Sequence, residues 1–447
     1  MMESTEAEQR KQQELIENYS LRFHFRALKL CGVLPPECVY SSLWKSRLYD
    51  MYTCLVLIWF IPAIAAMFIE LCNYLNSLEK AIPIIFQISA FVLSAILAIY
   101  FVYKRKIMIE LFHILETNFR PYMEILGSST KKLKTMEESL YTGKLISNTF
   151  LGVSCVTVFI WVVIPTIKGY IEFILQINQE GIEHNHGKYF GLAMWFPSNV
   201  NKSPFYEIAQ ILHGVTVITG VLNITGWFIA MLGLMYHTAS HFSMLVDLIE
   251  DINIIFSTKK ESEQHCLHTP QRKQYRDERH AEDESDEESQ HLAQLHKYLT
   301  SCIKYHQEII GLCKQIEDFL SPMLLIIFVF SEALMCLSTF RLAYGFADDE
   351  SLKFLMSGSC FYVWLLSFCW AGEYLTEQSL AVEKAIYGCP WYKHLQTMHD
   401  IKFVIMRAQK PIQLTAGKFY NVSLETYLQI ANTVYAYYTL LKNVADS

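Results

Sequence analysis

The sequence predicts an all-α membrane protein with seven transmembrane helices, and three observations support this prediction. The mean hydropathy is +0.20. Of the 447 residues, 52% are apolar and 18% are charged, whereas soluble domains usually carry about 25% charged residues. The apolar residues also lie in long blocks, and a helix needs roughly 20 such residues to cross the hydrocarbon core. The seven blocks are Tyr49–Cys72, Ile82–Tyr103, Leu145–Ile167, Tyr206–Tyr236, Phe319–Phe340, Leu352–Ala371 and Leu424–Leu441.

The basic residues predict how these spans are oriented. The segments 1–48, 104–144, 237–318 and 372–423 share one side of the membrane and hold about 30 of the 37 Lys and Arg residues. Positive charge in loops marks the cytosolic side. The N-terminus is therefore predicted to be cytosolic, and the C-terminus, after an odd number of spans, to be extracellular.

Four regions follow from this topology. A cytosolic N-terminal segment covers 1–48, spans one to six with their loops cover 49–371, a cytosolic anchor segment covers 372–423, and the seventh helix with a short extracellular tail covers 424–447.

The long inner loop contains two contrasting segments. The acidic insert 257–290 is too polar to bury a core and is predicted to be disordered. From Leu292 to Leu320, apolar side chains recur at alternating spacings of three and four. This heptad pattern predicts that 291–318 is a cytosolic helix continuing into the fifth span. Together with the apolar-periodic segment 104–126, it indicates a helical assembly domain beneath the membrane.

One outer loop contains a match to a modification motif. Asn201-Lys202-Ser203 fits the pattern for N-glycosylation. A chance match is the alternative, and the neighbouring Pro204 disfavours modification of Asn201.

The seventh span carries a polar stripe. At 100° per residue its members lie within about 40° of one line along the helix. They are Gln429, Thr433, Ala436, Leu440 and Asn443. A polar stripe in a membrane is costly unless it faces water or another polar surface, so it suits a pore built by several copies, and equally a helix–helix interface. In a pore, a ring of Leu440 side chains would form a hydrophobic constriction.

Residues in other spans are candidates for a ligand cavity. Apolar cavities with aromatic walls and a few polar groups bind small molecules. The candidates are Ile88, Phe91 and Val92 in the second span, Ser154, Thr157 and Trp161 in the third, and Met356, Phe361 and Tyr362 in the sixth. Packing between helices is the alternative for each of them. Glu332, an ionisable residue inside the fifth span, is a separate functional candidate.

Several classes of function lack their motifs. The sequence has no phosphate-binding glycine loop, no HExxH and no nucleophile or metal arrangement, so no enzyme, cofactor or metal is predicted. The basic residues form no nucleic-acid patch. The third span lacks a following Asp-Arg-Tyr and the seventh lacks Asn-Pro-x-x-Tyr, which are expected of common G-protein-coupled receptors.

The C-terminal third resembles the insect odorant receptors. The matching residues are Glu383-Lys384-Ala385-Ile386-Tyr387, Pro390-Trp391-Tyr392, Arg407-Ala408-Gln409-Lys410-Pro411, Leu414-Thr415-Ala416-Gly417 and the Tyr-rich run Tyr435 to Leu441. The final residues look like those of a ligand-tuning subunit rather than the co-receptor.

The resemblance implies a function for the whole chain. It implies a subunit of an odorant-gated, non-selective cation channel in the plasma membrane of sensory neuron dendrites, which binds a small volatile odorant and forms a heterotetramer with a shared co-receptor. It also implies an odorant cavity among the second, third, fourth and sixth spans, a central pore lined by the seventh helices, and a gate at Leu440. A gustatory receptor channel, a metabotropic seven-helix receptor and a transporter are the alternatives.

Overall fold

The computed structural model describes residues 20–30, 32–35, 43–125, 130–177, 190–197, 200, 204–266, 278–343, 349–389 and 395–445. These residues are mostly helical. A 3-10 turn at Arg22–Phe25 leads into α1 (Arg26–Leu30), and a π-helical turn at Phe159–Val163 joins α5 to α6. The further elements are α2 (Leu43–Asn73), α3 (Leu78–Thr117), α4 (Arg120–Ile125), α5 (Thr130–Val158), α6 (Ile164–Ile177), α7 (Phe205–Cys266), α8 (Glu278–Ala343), α9 (Asp349–Tyr387), α10 (Leu395–Ala408), β1 (Thr415–Ala416), β2 (Tyr420–Asn421) and α11 (Leu424–Ala445).

The predicted all-α membrane fold is confirmed. Within the described ranges, six helical segments are long and apolar enough to cross a membrane: α2, α3, α5 with α6, α7, α8 and α9. They correspond to the first six predicted spans. The seventh predicted span is the 22-residue α11, which is not among these six helices.

The helices differ in how far the protein itself covers them. In the most apolar stretch of α2, 17% of the residues are buried by the protein, whereas in that of α7 72% are buried. α2 therefore lies at the periphery, where lipid can cover its apolar side chains, and α7 lies at the centre. α7 packs against α9, α5, α3 and α8.

Two helices extend far beyond the length of a membrane span. α7 has 62 residues and α8 has 66 residues. The heptad segment 291–318 lies inside α8, and its apolar seam is buried, as Leu295, Cys302, Ile309 and Ile316 illustrate. The seam is covered because α8 packs against α3, α9 and α7.

The prediction of disorder for 257–290 was wrong at both ends of that insert. Residues 257–266 belong to α7 and residues 278–290 belong to α8. Glu, Lys and Gln are good helix formers, and adding residues to an existing helix avoids the cost of nucleation. Residues 267–277 lie outside the described residues.

A short N-terminal segment is inserted among the helices. Leu21 and Leu28 are fully buried in the main apolar core. His24 lies 3.0 Å from His237, measured between the two Nε2 atoms. Its Nδ1 lies 2.8 Å from the Ser147 hydroxyl, and His237 Nδ1 lies 3.2 Å from that of Ser139. Burial lowers the pKa of His24 to about 3, so this pair is held neutral and ties the N-terminal segment to α5 and α7.

A small hairpin fixes the start of α11. β1 pairs with β2 in antiparallel register, with Thr415 opposite Asn421. The turn uses Gly417 at φ +62°, a left-handed conformation that favours glycine. Gly417 N donates to the carbonyl of Ser321 at 2.8 Å, and Thr415 N donates to Glu317 Oε2 at 2.9 Å. The Leu-Thr-Ala-Gly stretch therefore anchors the chain to α8 just before α11.

Candidate functional site

A cavity of about 90 Å³ lies between the second, third, fourth and sixth spans. Its lining residues are Phe86, Gln87, Ala90, Phe91 and Ser94 of α3; Ser154 and Thr157 of α5; Trp161 of the π-helical turn; Leu192; Val217, Gly220, Val221 and Ile224 of α7; and Ser357, Cys360, Phe361 and Trp364 of α9. None of these described lining residues is charged. An ammonium or carboxylate group placed there would lose its hydration without gaining a partner, so the cavity suits neutral molecules.

Aromatic rings form much of the wall. Phe86 and Phe361 make an edge contact with centroids 6.2 Å apart, and Phe361 and Trp364 make another at 5.3 Å. Such contacts hold rings in fixed orientations. The cavity therefore has flat, rigid apolar surfaces.

The side chain of Trp161 is held from two sides. Its Nε1 donates to Ser357 Oγ at 2.9 Å, and Lys353 Nζ lies 5.7 Å from the ring centroid. Trp161 belongs to the π-helical turn, which differs from α-helix by its i→i+5 bonding and often occurs at functional sites. The turn and the hydrogen bond together fix the indole against α9.

The segment 190–197 lies against the cavity. Leu192 is one of the lining residues, and its backbone N–H donates to His213 Nε2 at 3.0 Å. Ala193 N donates to Gln87 Oε1 at 2.8 Å. Gly191 passes so close to the third span that a Cβ there would lie 1.9 Å from the carbonyl oxygen of Trp161. The segment is thus hydrogen-bonded to α3 and α7 beside the cavity.

Five of the nine residues predicted to contact a ligand line this cavity: Phe91, Ser154, Thr157, Trp161 and Phe361. The other four, Ile88, Val92, Met356 and Tyr362, do not. In both α3 and α9 they lie one position away from lining residues, and one position rotates a side chain by about 100°. Ile88, Val92 and Met356 pack in a neighbouring apolar cluster, and Tyr362 Oη lies 3.1 Å from Thr339 Oγ1.

Sequence reasoning missed the remaining lining residues. Gln87, Ser94 and Ser357 are polar residues within apolar spans, which was an available signal. Val217, Val221 and Ile224 carry no such signal. Gly220 makes room for the cavity wall, since a Cβ there would lie 2.9 Å from Cε1 of Phe91.

The predicted stripe of α11 lies on its uncovered face. Gln429, Ala436, Leu440 and Asn443 are exposed and Thr433 is half-buried. Val434, on another face, is 1% exposed, because α11 packs there against α8 and α9.

Two further candidates were predicted from the sequence, Glu332 and Asn201. Glu332 is half-buried in α8 and makes no side-chain hydrogen bond or ion pair with the described residues. Asn201 lies outside the described residues.

The chain is similar to known proteins over most of its length. The family model described as 7tm Odorant receptor matches residues 77–435. Odorant receptor 13a of Drosophila melanogaster is 30% identical over 161 residues, which are 33% of this chain and 38% of that protein. Odorant receptor Or2 of Anopheles gambiae is 28% identical over 150 residues, 33% of this chain and 39% of that protein. The alignments thus span less than two thirds of these relatives.

The fold has a solved counterpart. The insect olfactory receptor OR5 from Machilis hrabei, in complex with eugenol, superimposes with a TM-score of 0.72. The superposition covers 97% of this chain and 98% of that one at 17% identity. The likeness therefore establishes the shared fold.

Proposed function

Because this chain belongs to the 7tm odorant receptor family, we propose that it is the odorant-binding subunit of an odorant-gated, non-selective cation channel. It binds a small volatile ligand in the cavity described above and assembles with a shared co-receptor subunit into a heterotetramer. It acts in the plasma membrane of sensory neuron dendrites, with its N-terminus cytosolic and its C-terminus extracellular.

The cavity is the observation that carries this proposal. It is uncharged, walled by aromatic rings and placed among the helices of the membrane-spanning part. A binding site of this kind takes its affinity from apolar contact area, which volatile molecules can offer. The olfactory receptor OR5 from Machilis hrabei, which shares this fold, has been solved in complex with eugenol, a small aromatic molecule.

The uncovered face of α11 supports the channel part of the proposal. A polar face within a membrane must meet water or a polar partner, and the described residues leave most of this face exposed. Four such faces around one axis would enclose a wet pore. A ring that includes Leu440, 59% exposed in the single chain, would then close it by excluding water.

Whole-cell recording tests the proposal. The chain is expressed with and without the co-receptor and exposed to a panel of volatile compounds while G-protein signalling is blocked. Rapid current that needs the co-receptor and persists under the block is the expected result. Responses that the block abolishes would contradict the channel mechanism and favour a metabotropic receptor.

A further inference from the structure

The hydroxyl groups that line the cavity differ in whether their proton is free to be donated to a ligand. A hydroxyl has a single proton to donate. Thr157 Oγ1 donates to the carbonyl of Val153 at 3.0 Å, and Ser154 Oγ to that of Phe150 at 2.9 Å. Ser94 Oγ donates to the carbonyl of Gly220 at 3.2 Å. These three hydroxyls therefore have no proton left for a ligand.

Ser357 differs from the other hydroxyl residues. Its oxygen accepts the indole N–H of Trp161, and its own proton is donated to no group among the described residues. The residue is 8% exposed, so bulk water does not compensate. An unused buried donor costs free energy, and a ligand oxygen in the cavity would remove this cost.

Gln87 supplies a second free donor. Its Oε1 accepts the N–H of Ala193, which fixes the orientation of the amide group. Its Nε2 donates to no group in the described part of the chain, and the residue is 5% exposed. Both Gln87 and Ser357 line the cavity.

We propose that the ligand is a small neutral molecule bearing a carbonyl- or ether-type oxygen, and that Ser357 and Gln87 select it by donating to that oxygen. This proposal rests on the proposed function. The aromatic walls bind the apolar body, whereas the two donors distinguish an oxygenated compound from a hydrocarbon of the same shape. The volume of about 90 Å³ is below the roughly 150 Å³ of an apolar cavity that binds benzene, so the ligand is compact.

The test compares pairs of compounds that differ only in the oxygen. Butan-2-one is paired with 2-methylbut-1-ene, and cyclopentanone with methylidenecyclopentane, since each pair exchanges C=O for C=CH₂. Currents are recorded from the complete receptor with its co-receptor. We expect the ketone to be the more potent of at least one pair by about 5- to 10-fold, as for one neutral hydrogen bond.

Variants assign the effect to Ser357. Ser357→Ala should weaken the ketone response by this factor more than it weakens the hydrocarbon response, because loss of the hydrogen bond to Trp161 affects both compounds whereas loss of the donor affects only the ketone. Ser357→Thr should restore the difference. Ser359→Ala is the matched control, because Ser359 is exposed on the same helix and donates to the Met356 carbonyl.

Two outcomes would overturn the proposal, and a third would contradict the proposed function on which it rests. Equal potency within both pairs would show that no donor selects the ligand. A Ser357→Ala loss that is equal for ketone and hydrocarbon would show that Ser357 only positions Trp161. Silence of the unaltered receptor toward every volatile compound tested would instead contradict the proposed function itself.

Discussion

Replacing Glu317 with alanine should release the β1–β2 hairpin from α8. The carboxylate accepts hydrogen bonds from the Thr415 backbone N–H, at 2.9 Å, and from the Thr415 hydroxyl. Hydrogen bonds to a charged group contribute about 1.5–3 kcal/mol each. Glu317 is half-buried, so water replaces part of the loss, and we expect about 1.5–3 kcal/mol for the pair.

This free energy predicts a measurable change in hydrogen exchange. The Thr415 amide exchanges when the hairpin opens locally, and 1.4 kcal/mol corresponds to a tenfold change in an equilibrium constant. Exchange at Thr415 should therefore become about 10- to 140-fold faster in Glu317→Ala. Glu317→Gln should give a smaller increase, because its amide oxygen still accepts one bond.

Hydrogen-exchange mass spectrometry of the detergent-solubilised protein measures this change in the peptide that contains β1. Asp318→Ala is the control, since Asp318 is exposed and its side chain makes no hydrogen bond or ion pair with the described residues. Unaltered exchange in Glu317→Ala, or the same increase in Asp318→Ala, would refute the reasoning.

Three other predictions concern the cavity, the pore and the N-terminal segment. Gly220→Val should reduce odorant sensitivity at least tenfold, because its side chain would meet the Phe91 ring, while Gly152→Ala, with nothing within 4 Å, should respond normally in the same recordings. Leu440→Ser should wet the proposed constriction and raise ligand-independent current, and an unchanged baseline would argue against a gate there. Because burial lowers the pKa of His24 to about 3, the unfolded chain takes up a proton below its ordinary pKa of 6.5 while the folded chain does not. The contribution of this group to the free energy of unfolding should therefore be constant above about pH 7.5 and fall by roughly 1.4 kcal/mol by pH 5.5. Thermal melts measure this change, and equal melting temperatures at pH 7.5 and pH 5.5 would contradict a neutral His24.

Hydropathy and heptad spacing could predict the helices but not their rotations. Both signals are local: a long apolar block predicts a span, and the seam from Leu292 to Leu320 predicts the extension of α8. Which side of a span faces the cavity depends on contacts between helices distant in sequence. Met356 was chosen and Ser357 was missed for that reason, although they are neighbours in the chain.

The acidic insert shows a different limit. Its composition indicates that it cannot bury a core, and from this property we predicted disorder. Helix formation at 257–266 and 278–290 requires no core of its own, because each segment continues a helix that is stabilised elsewhere. The composition of a segment does not indicate whether it continues a helix that is stabilised elsewhere.

α7 is long enough to connect the region around the cavity with the helical part beyond the hydrocarbon core. Its 62 residues extend about 93 Å at 1.5 Å per residue, roughly three times the thickness of the hydrocarbon core. A single buried cluster includes both Trp364 beside the cavity and Leu295 at the far end of the heptad seam. We therefore expect a mutation that loosens the far end to lower the stability of the whole chain. Such a mutation would reduce the amount of receptor that escapes cellular degradation and leave its choice of odorant unaltered.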